Sequence, residues 1–234
     1  MKSTAIYKSS LANMPIELII FDLDGTLIDS SIDITNALNY AIEPYDLPCL
    51  TNNEAIKMVG EGITRLIEKL IGEKDISAGT AKDDVSKRFI EHYTEHVLDY
   101  TKTYPGVKET LERLSCYKKA VISNKRESLS IRVLEGLGLS GFFDVILGSD
   151  SVNEKKPSPI PIIKVLSDLN MRPPEAVIVG DSNFDVDAGK AAGVTTIAVT
   201  YGYRPRDTIS HADYMIDRII DLVPLIEGIT NHGA

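Results

Sequence analysis

The sequence predicts an α/β fold, a doubly wound parallel sheet with a Rossmann-like core and an inserted all-helical cap domain. Two patterns lead to this prediction. From residue 105 onward, short apolar runs alternate with stretches of helical periodicity, as in parallel strands joined by helices. From residue 32 to residue 100, apolar residues recur at helical spacing, which indicates helices without strands.

Six short apolar runs predict the strands of the sheet. The first, LIIF at residues 18–21, contains no polar residue, as expected of a strand that is covered on both faces. The predicted strands are residues 18–21, 120–123, 143–147, 176–180, 195–200 and 214–216. The helices expected between them are residues 107–114, 129–137, 159–169 and 185–192.

The insertion is predicted from the helical periodicity that begins at Ile34. The sequence TNNE at residues 51–54 is typical of a helix start, and the next helix is predicted to end at Gly72. A longer helix is expected over residues 82–98. The predicted parts of the chain are a loose N-terminal extension (1–14), the α/β core (15–31 and 101–234) and the helical cap (32–100).

The composition restricts the possible partners. The formal net charge is −9 and the pI is about 5.0, so nucleic acid and anionic membranes would be repelled. No segment approaches the ~20 apolar residues of a membrane span. The two cysteines, Cys49 and Cys116, give no disulfide framework, which indicates a cytoplasmic protein. We expect a monomer or a homodimer.

Acids, a hydroxyl and a lysine follow the first four predicted strands. Ligands of open α/β sheets bind beyond the carboxyl ends of the strands, so these side chains are expected to meet at one edge. A single acid at a strand end is often a helix cap, but four polar strand ends indicate a site. In strand order the residues are Asp22 and Asp24, then Ser123 and Asn124, then Lys156, then Asp181 and Asp185.

This set of side chains suits phosphoryl transfer. Carboxylates gathered at one edge can hold Mg²⁺, which prefers oxygen ligands. One carboxylate can attack phosphorus and form an aspartyl-phosphate, while a second serves as acid and then as base. A serine hydroxyl, a lysine and the backbone N–H groups after the strand can stabilise the transferred group. We therefore predict a nucleophilic aspartate with an acid/base aspartate beside it.

Four segments, FDLDGTLIDS, VISNK, KKPSP and GDSNFDVDAG, resemble the four motifs of haloacid dehalogenase-type hydrolases, in the family order. The resemblance implies that Asp22 is the nucleophile and Asp24 the general acid/base. It implies that Ser123 and Lys156 bind the phosphoryl group, with Lys155 as the alternative lysine. The implied holders of Mg²⁺ are Asp22, the Asp24 carbonyl, Asp181 and Asp185, the last either as a ligand or in a supporting position.

Within that family, the acid at Asp24 favours a phosphate ester, since dehalogenating members generally lack it. The segments MVGEGITRLIEKL and AVTYGY resemble those of phosphoglycolate phosphatases. The resemblance implies a small phosphorylated metabolite as substrate, with 2-phosphoglycolate as the first candidate. A phosphomutase, a pyrophosphatase and a nucleotidase share the scaffold and stay as alternatives. A phospho-acceptor signalling domain is disfavoured by the helical insertion and by the Asp22–Asp24 arrangement.

The substrate-binding residues are expected to come from the strand ends and from the insertion. Gly25, Thr26 and Asn124 are candidates at the strand ends, where Thr26 either orients the nucleophile loop or caps a helix. Asn124 either fixes its loop or contacts phosphate. In the insertion, Gly60 and Gly62 form either a loop that meets the substrate or a plain turn.

Three further interpretations concern single side chains. Arg65 is a candidate partner for a substrate carboxylate, against the alternative of a solvated charge. His92 and His96 have metal-compatible spacing, but an exposed helix face is favoured. Tyr201 and Tyr203 are interpreted as packing residues.

Overall fold

The structure is a computed structural model that describes residues 15–45, 47–73 and 81–231. The predicted N-terminal extension lies outside the described residues. The strands are β1 (Leu18–Phe21), β2 (Ile28–Asp29), β3 (Lys102–Thr103), β4 (Lys118–Ile122), β5 (Val145–Leu147), β6 (Ala176–Gly180), β7 (Thr195–Val199) and β8 (Tyr214–Ile216). Six of them form one sheet in the order β5-β4-β1-β6-β7-β8, and all its pairings are parallel.

The helices connect these strands and supply the insertion. They are α1 (Ser31–Ile42), α2 (Asn52–Met58), α3 (Ile63–Glu73), α4 (Ala81–His96), α5 (Val107–Arg113), α6 (Glu127–Gly136), α7 (Ile160–Asp168), α8 (Asn183–Ala192) and α9 (Leu222–Asn231). Short 3₁₀ turns lie between several of them. Within the described residues no helix is of a length and apolarity that could cross a membrane.

Strand β1 shows why the sheet must be covered on both faces. Ile19 and Phe21 belong to the core cluster shared with α5, α6 and α9, whereas Leu18 and Ile20 belong to the cluster shared with α7 and α8. All four side chains are fully buried, because successive residues of a strand point to opposite faces. The predicted doubly wound α/β fold is confirmed.

The register of the central strands sets where the site lies. Phe21, the last residue of β1, pairs with Val121 on β4 and with Val179 on β6. The carboxyl ends of three neighbouring strands therefore finish at nearly the same level, and the residues that follow them meet at one edge.

The four helices α1 to α4 lie between β2 and β3. These two strands form a separate antiparallel pair, Ile28 with Thr103, which the sequence did not predict because each has only two residues. Asp33 at the start of α1 accepts hydrogen bonds from the backbone N–H groups of Tyr100 and Thr101 at 2.8–3.1 Å. Both ends of the helical insertion are thus fixed to each other beside the sheet.

Some predicted boundaries need correction. Gly72 does not end its helix, since α3 continues to Glu73; the apolar face of α3, which includes Ile67 and Leu70, is buried and outweighs the weak helix propensity of one glycine. Helix α4 ends at His96, two residues earlier than predicted. The start of α2 is as predicted, because Thr51 and Glu54 form a reciprocal capping box.

Candidate active site

Asp22 occupies the centre of the edge where the strands end. It follows β1, between the ends of β4 and β6, and its backbone N–H donates to the Val179 carbonyl at 2.9 Å. Its side chain is 11% exposed and lines a cavity at this edge. A carboxylate held here has one open side, toward the cavity, from which a ligand can approach.

The buried side chain of Lys156 binds this carboxylate. Its Nζ donates to Asp22 Oδ1 at 2.7 Å, to Asp185 Oδ1 at 2.6 Å and to the Ile122 carbonyl at 2.6 Å. Burial disfavours the ammonium, but Asp185 and Asp22 outweigh it and raise the pKa of Lys156 above its usual value. The lysine therefore stays charged and fixes the orientation of both acids.

Three acids converge beside the cavity. Oxygen atoms of Asp22, Asp181 and Asp185 lie within 4.8 Å of one another, and all three residues are buried. Burial raises the pKa of Asp22 to about 7, with Asp185 adding to it and Lys156 opposing it. The pKa of Asp181 is also raised, mainly by burial and then by the charges of Asp22 and Asp185. Lys156 offsets this negative charge only in part, so the oxygen-rich site fits a hard divalent cation.

Two of these acids are oriented by hydrogen bonds from nearby backbone N–H groups. Asp181 Oδ2 accepts a 2.6 Å hydrogen bond from the backbone N–H of Tyr203. Asp185 Oδ2 accepts from the backbone N–H and the hydroxyl of Ser182, which completes the capping box of α8. Because the other oxygen of Asp185 binds Lys156, both of its oxygens are engaged. Asp181 is thus better placed than Asp185 to bind a cation directly.

Asp24 lies at the same cavity but has different partners. Ser30 donates to its Oδ1 at 2.5 Å, and Lys125 Nζ lies 2.9 Å from its Oδ2. The two aspartates of the first motif are therefore held by two different lysines. This separation suits two different chemical tasks.

Lys125 lines the cavity although its sequence position does not indicate it. It is 4% exposed and also donates to the hydroxyl of Tyr93, on α4, at 2.7 Å. Burial opposes its charge, but Asp24 outweighs it and raises the pKa of Lys125. The residue is visible in the VISNK segment, two positions after Ser123, but the sequence gives no sign that it reaches Asp24.

Ser123 and Asn124 reach the cavity as expected. The Ser123 hydroxyl oxygen accepts from the backbone N–H of Lys125 at 3.2 Å, so its proton can be donated to a ligand. The Asn124 amide donates to the Gly60 and Lys156 carbonyls at 2.8 and 2.9 Å. Its buried Oδ1 has no hydrogen-bond partner among the described residues.

Gly25 and Thr26 support the turn but do not line the cavity. Gly25 has a φ of 88°, and a Cβ there would overlap the Asp181 carboxylate, so the position favours glycine for two reasons. Thr26 is fully buried, and its carbonyl accepts from the Tyr201 hydroxyl at 2.8 Å. Its hydroxyl has no partner within the described part of the chain.

The residues of the insertion divide into those that reach the cavity and one that does not. Gly60 and Gly62 line it. Arg65 points to solvent, 64% exposed, and pairs with Glu68 at 2.9 Å; the suggested contact with a substrate carboxylate is not supported. Lys155, the alternative phosphate lysine, binds the carbonyl of Glu61 and is absent from the cavity lining.

Apart from the residues already described, the walls of the cavity are mostly apolar. Its volume is about 60 Å³. The polar wall residues include Tyr203 and Arg204. Tyr203 also packs against the main hydrophobic cluster, as interpreted from the sequence. The apolar wall residues include Ile34, Val59, Ile63, Leu66, Phe89 and Phe184.

His92 and His96 do not take part in this site. Their ring centroids lie 4.3 Å apart, and the Tyr40 ring lies 4.4 Å from that of His92, both pairs at a tilt of 32°. They belong to the surface formed by α1 and α4.

A family model for haloacid dehalogenase-like hydrolases matches residues 19–199, a range that includes the four aspartates, Ser123 and the lysines of the site. The chain belongs to the haloacid dehalogenase-like hydrolase family. The resemblance predicted from the four motifs is confirmed.

Relatives with known names agree with this assignment. The chain is 41% identical to a phosphoglycolate phosphatase of Aquifex aeolicus, over 90% of this chain and 96% of that protein. It is 38% identical to a phosphoglycolate phosphatase of Chromobacterium violaceum, over 91% and 97%. A crystal structure named as a predicted phosphoglycolate phosphatase from Haemophilus somnus superposes with a TM-score of 0.83, at 29% identity, over 90% of this chain and 97% of that one. A haloacid dehalogenase-like hydrolase from Streptococcus pneumoniae, 24% identical, shares the fold with a TM-score of 0.80, over 90% and 98%.

Proposed function

We propose that this hydrolase is a phosphatase for small phosphate monoesters, with 2-phosphoglycolate as the first candidate substrate. The observation that carries the proposal is the separation of two carboxylates at one cavity, Asp22 on Lys156 and Asp24 on Lys125. The names of the relatives favour phosphoglycolate.

In the first step Asp22 attacks phosphorus. Lys156 engages Oδ1 of Asp22, so we assign the attack to Oδ2. The new bond joins this oxygen to phosphorus, and the bond from phosphorus to the ester oxygen breaks. Asp24 gives its proton to that leaving oxygen. The Ser123 hydroxyl donates to a phosphoryl oxygen as negative charge shifts.

In the second step water replaces Asp22 on phosphorus. Asp24, now a carboxylate, removes a proton from the attacking water. The bond between phosphorus and the Asp22 oxygen breaks, phosphate leaves, and both aspartates return to their starting forms.

The three converging acids fit Mg²⁺, with Asp22, Asp181 and the Asp24 carbonyl as the proposed ligands. Such an ion would supply positive charge against the phosphate that enters an acidic site. We assign Asp185 a supporting role, since its oxygens bind Lys156 and Ser182.

The selection of substrate follows from the groups around Asp24. In 2-phosphoglycolate the carboxylate is attached to the carbon that carries the leaving oxygen, so it would lie near Asp24. Lys125 is the buried ammonium at that position and takes the place that the sequence suggested for Arg65. The apolar walls offer few partners for the hydroxyl groups of a sugar, which disfavours a sugar-phosphate mutase.

A panel of substrates tests the proposal. Phosphate release is measured for 2-phosphoglycolate, an aryl phosphate, a hexose phosphate, a nucleoside monophosphate and pyrophosphate, without a bisphosphate activator. We expect the highest kcat/KM for 2-phosphoglycolate. Preference for the nucleotide or pyrophosphate, or a requirement for a bisphosphate, would favour the nucleotidase, pyrophosphatase or mutase instead.

A matched pair of variants tests the role of Lys125. Lys125→Met should raise KM for 2-phosphoglycolate at least about tenfold more than for the aryl phosphate, because only the first has a carboxylate to pair. Arg65→Met, the exposed control, should leave both KM values unchanged. Equal effects on both substrates would remove Lys125 as the carboxylate partner.

A further inference from the structure

The loop at residues 59–62, between α2 and α3, is held on the core by hydrogen bonds from core side chains to backbone carbonyls. Arg204, from the segment after β7, donates from Nη1 to the Lys57 carbonyl at 3.0 Å and from Nη2 to the Val59 carbonyl. Both carbonyls belong to the last turn of α2 and the residue that follows it, where backbone acceptors have no helical partner. One guanidinium thus closes the end of a helix that belongs to the insertion.

The next two carbonyls of the loop are bound by two other core segments. Asn124, after β4, donates to the Gly60 carbonyl at 2.8 Å. Lys155, after β5, donates to the Glu61 carbonyl. Three consecutive carbonyls of the loop therefore bind three side chains that come from three different strand ends.

The acceptors in this contact are all backbone atoms. The loop can therefore lie on the core whatever its own side chains are, provided that it can approach closely. Gly62, with a φ of 80°, allows this approach, since a Cβ there would lie 3.0 Å from the Asn124 carbonyl oxygen and 3.1 Å from Lys155 Nζ. The loop and Arg204 also form part of the cavity wall.

We propose that Arg204, Asn124 and Lys155 form a latch that sets how often the helical insertion closes over the cavity. They are positioning residues, because they act on the loop and not on the reacting atoms. The inference uses the proposed function only to identify the cavity as the active site. Each hydrogen bond lost should shift the closed-to-open ratio by about fivefold.

The chain provides its own labelling sites for measuring this ratio. Its two cysteines, Cys49 in the insertion and Cys116 in the core, are both exposed and unpaired. Nitroxide labels on these residues report the distance between the two parts by pulsed electron resonance, without substrate or metal. We expect one dominant distance for the wild type. We expect a second population, at least about fivefold larger than in the wild type, for Arg204→Met and for Lys155→Met.

Matched controls lie nearby on the surface. Arg206→Met removes an exposed arginine that pairs with Asp217, and Lys164→Met removes an exposed lysine that pairs with Asp168. Both should retain the distance distribution of the wild type. Arg204→Lys keeps the charge but cannot span two carbonyls, so it should give an intermediate population. An unchanged distribution in the folded Met variants of the latch, as judged by circular dichroism, would overturn the proposal.

A kinetic measurement separates the latch from a purely structural role. Arg204→Met and Lys155→Met should raise KM severalfold while kcat changes less, because the chemical groups are intact. If the labels respond but 2-phosphoglycolate is not hydrolysed, the latch stands and the proposed substrate fails. If KM and the distances are unchanged in both variants, the latch is wrong whatever the substrate is.

Discussion

The neighbouring lysines Lys155 and Lys156 allow a sharp test of how the site is held together. In metal-free protein, Lys156→Met removes the ammonium from two acids at 2.7 and 2.6 Å, in a place where its side chain is 2% exposed. Lys155→Met removes a lysine that binds only one carbonyl of the loop at residues 59–62. The two substitutions are chemically identical and adjacent, so they control for each other.

The expected magnitude follows from burial. Removing one partner of a buried ion pair destabilises a protein by about 3–5 kcal/mol, because a charge stays buried without compensation. For a chain of this size each kcal/mol lowers Tm by about 2–4 °C, so Lys156→Met should melt about 6–20 °C below the wild type. Lys155→Met loses one hydrogen bond, about 0.5–1.5 kcal/mol, and should melt about 1–6 °C lower.

The pH dependence gives the sign of the effect. The pKa of Asp22, raised to about 7 by burial against the opposing charge of Lys156, should rise further in Lys156→Met. When the pKa of a carboxyl is raised in the folded state, the unfolded chain releases the proton at a lower pH than the folded protein does. The free energy of unfolding therefore falls as the pH rises toward the raised pKa. The Tm difference should therefore be larger at pH 8 than at pH 6.

Thermal melts followed by circular dichroism in EDTA measure these differences, and a second series contains Mg²⁺. We expect Mg²⁺ to raise the Tm of Lys156→Met more than that of the wild type, since it meets acids that have lost their cation. A Tm for Lys156→Met within about 2 °C of the wild type at pH 8, or a larger loss in Lys155→Met, would refute this account of the site.

Three further predictions concern turnover and metal binding. Asp22→Asn should lower kcat by about 10⁶, as expected for the loss of a nucleophile, and phosphate release near the wild-type rate would remove Asp22 from that role. Ser123→Ala should lower kcat by about 10²–10³ through the loss of one donor to the phosphoryl group; a change confined to KM would contradict this. Mg²⁺ affinity, measured by calorimetry, should rise between pH 6 and pH 8, because burial keeps a proton on Asp22 that the metal must displace, and affinity that is independent of pH would argue against Asp22 as a ligand.

Much of the fold could be predicted because the sheet is buried on both faces. A parallel strand such as β1 must be apolar throughout, so its position is visible in the letters LIIF. The short pair β2 and β3 could not be predicted in this way, because two residues carry no period. Gly72 does not end α3, because burial of one face of the helix outweighs a local stop signal.

The side chains that follow the strands can be read from the amino-acid letters, because strand ends are marked locally and parallel strands bring them to one edge. How those side chains pair, with Lys156 on Asp22 and Lys125 on Asp24, depends on the packed fold. It also decided that Arg204 holds the Val59 carbonyl across 145 residues of sequence. These contacts cannot be read from the sequence because they join residues that are far apart along the chain. For Arg204 the acceptor is in addition a backbone atom, which every residue has, so nothing in the sequence of the loop marks it.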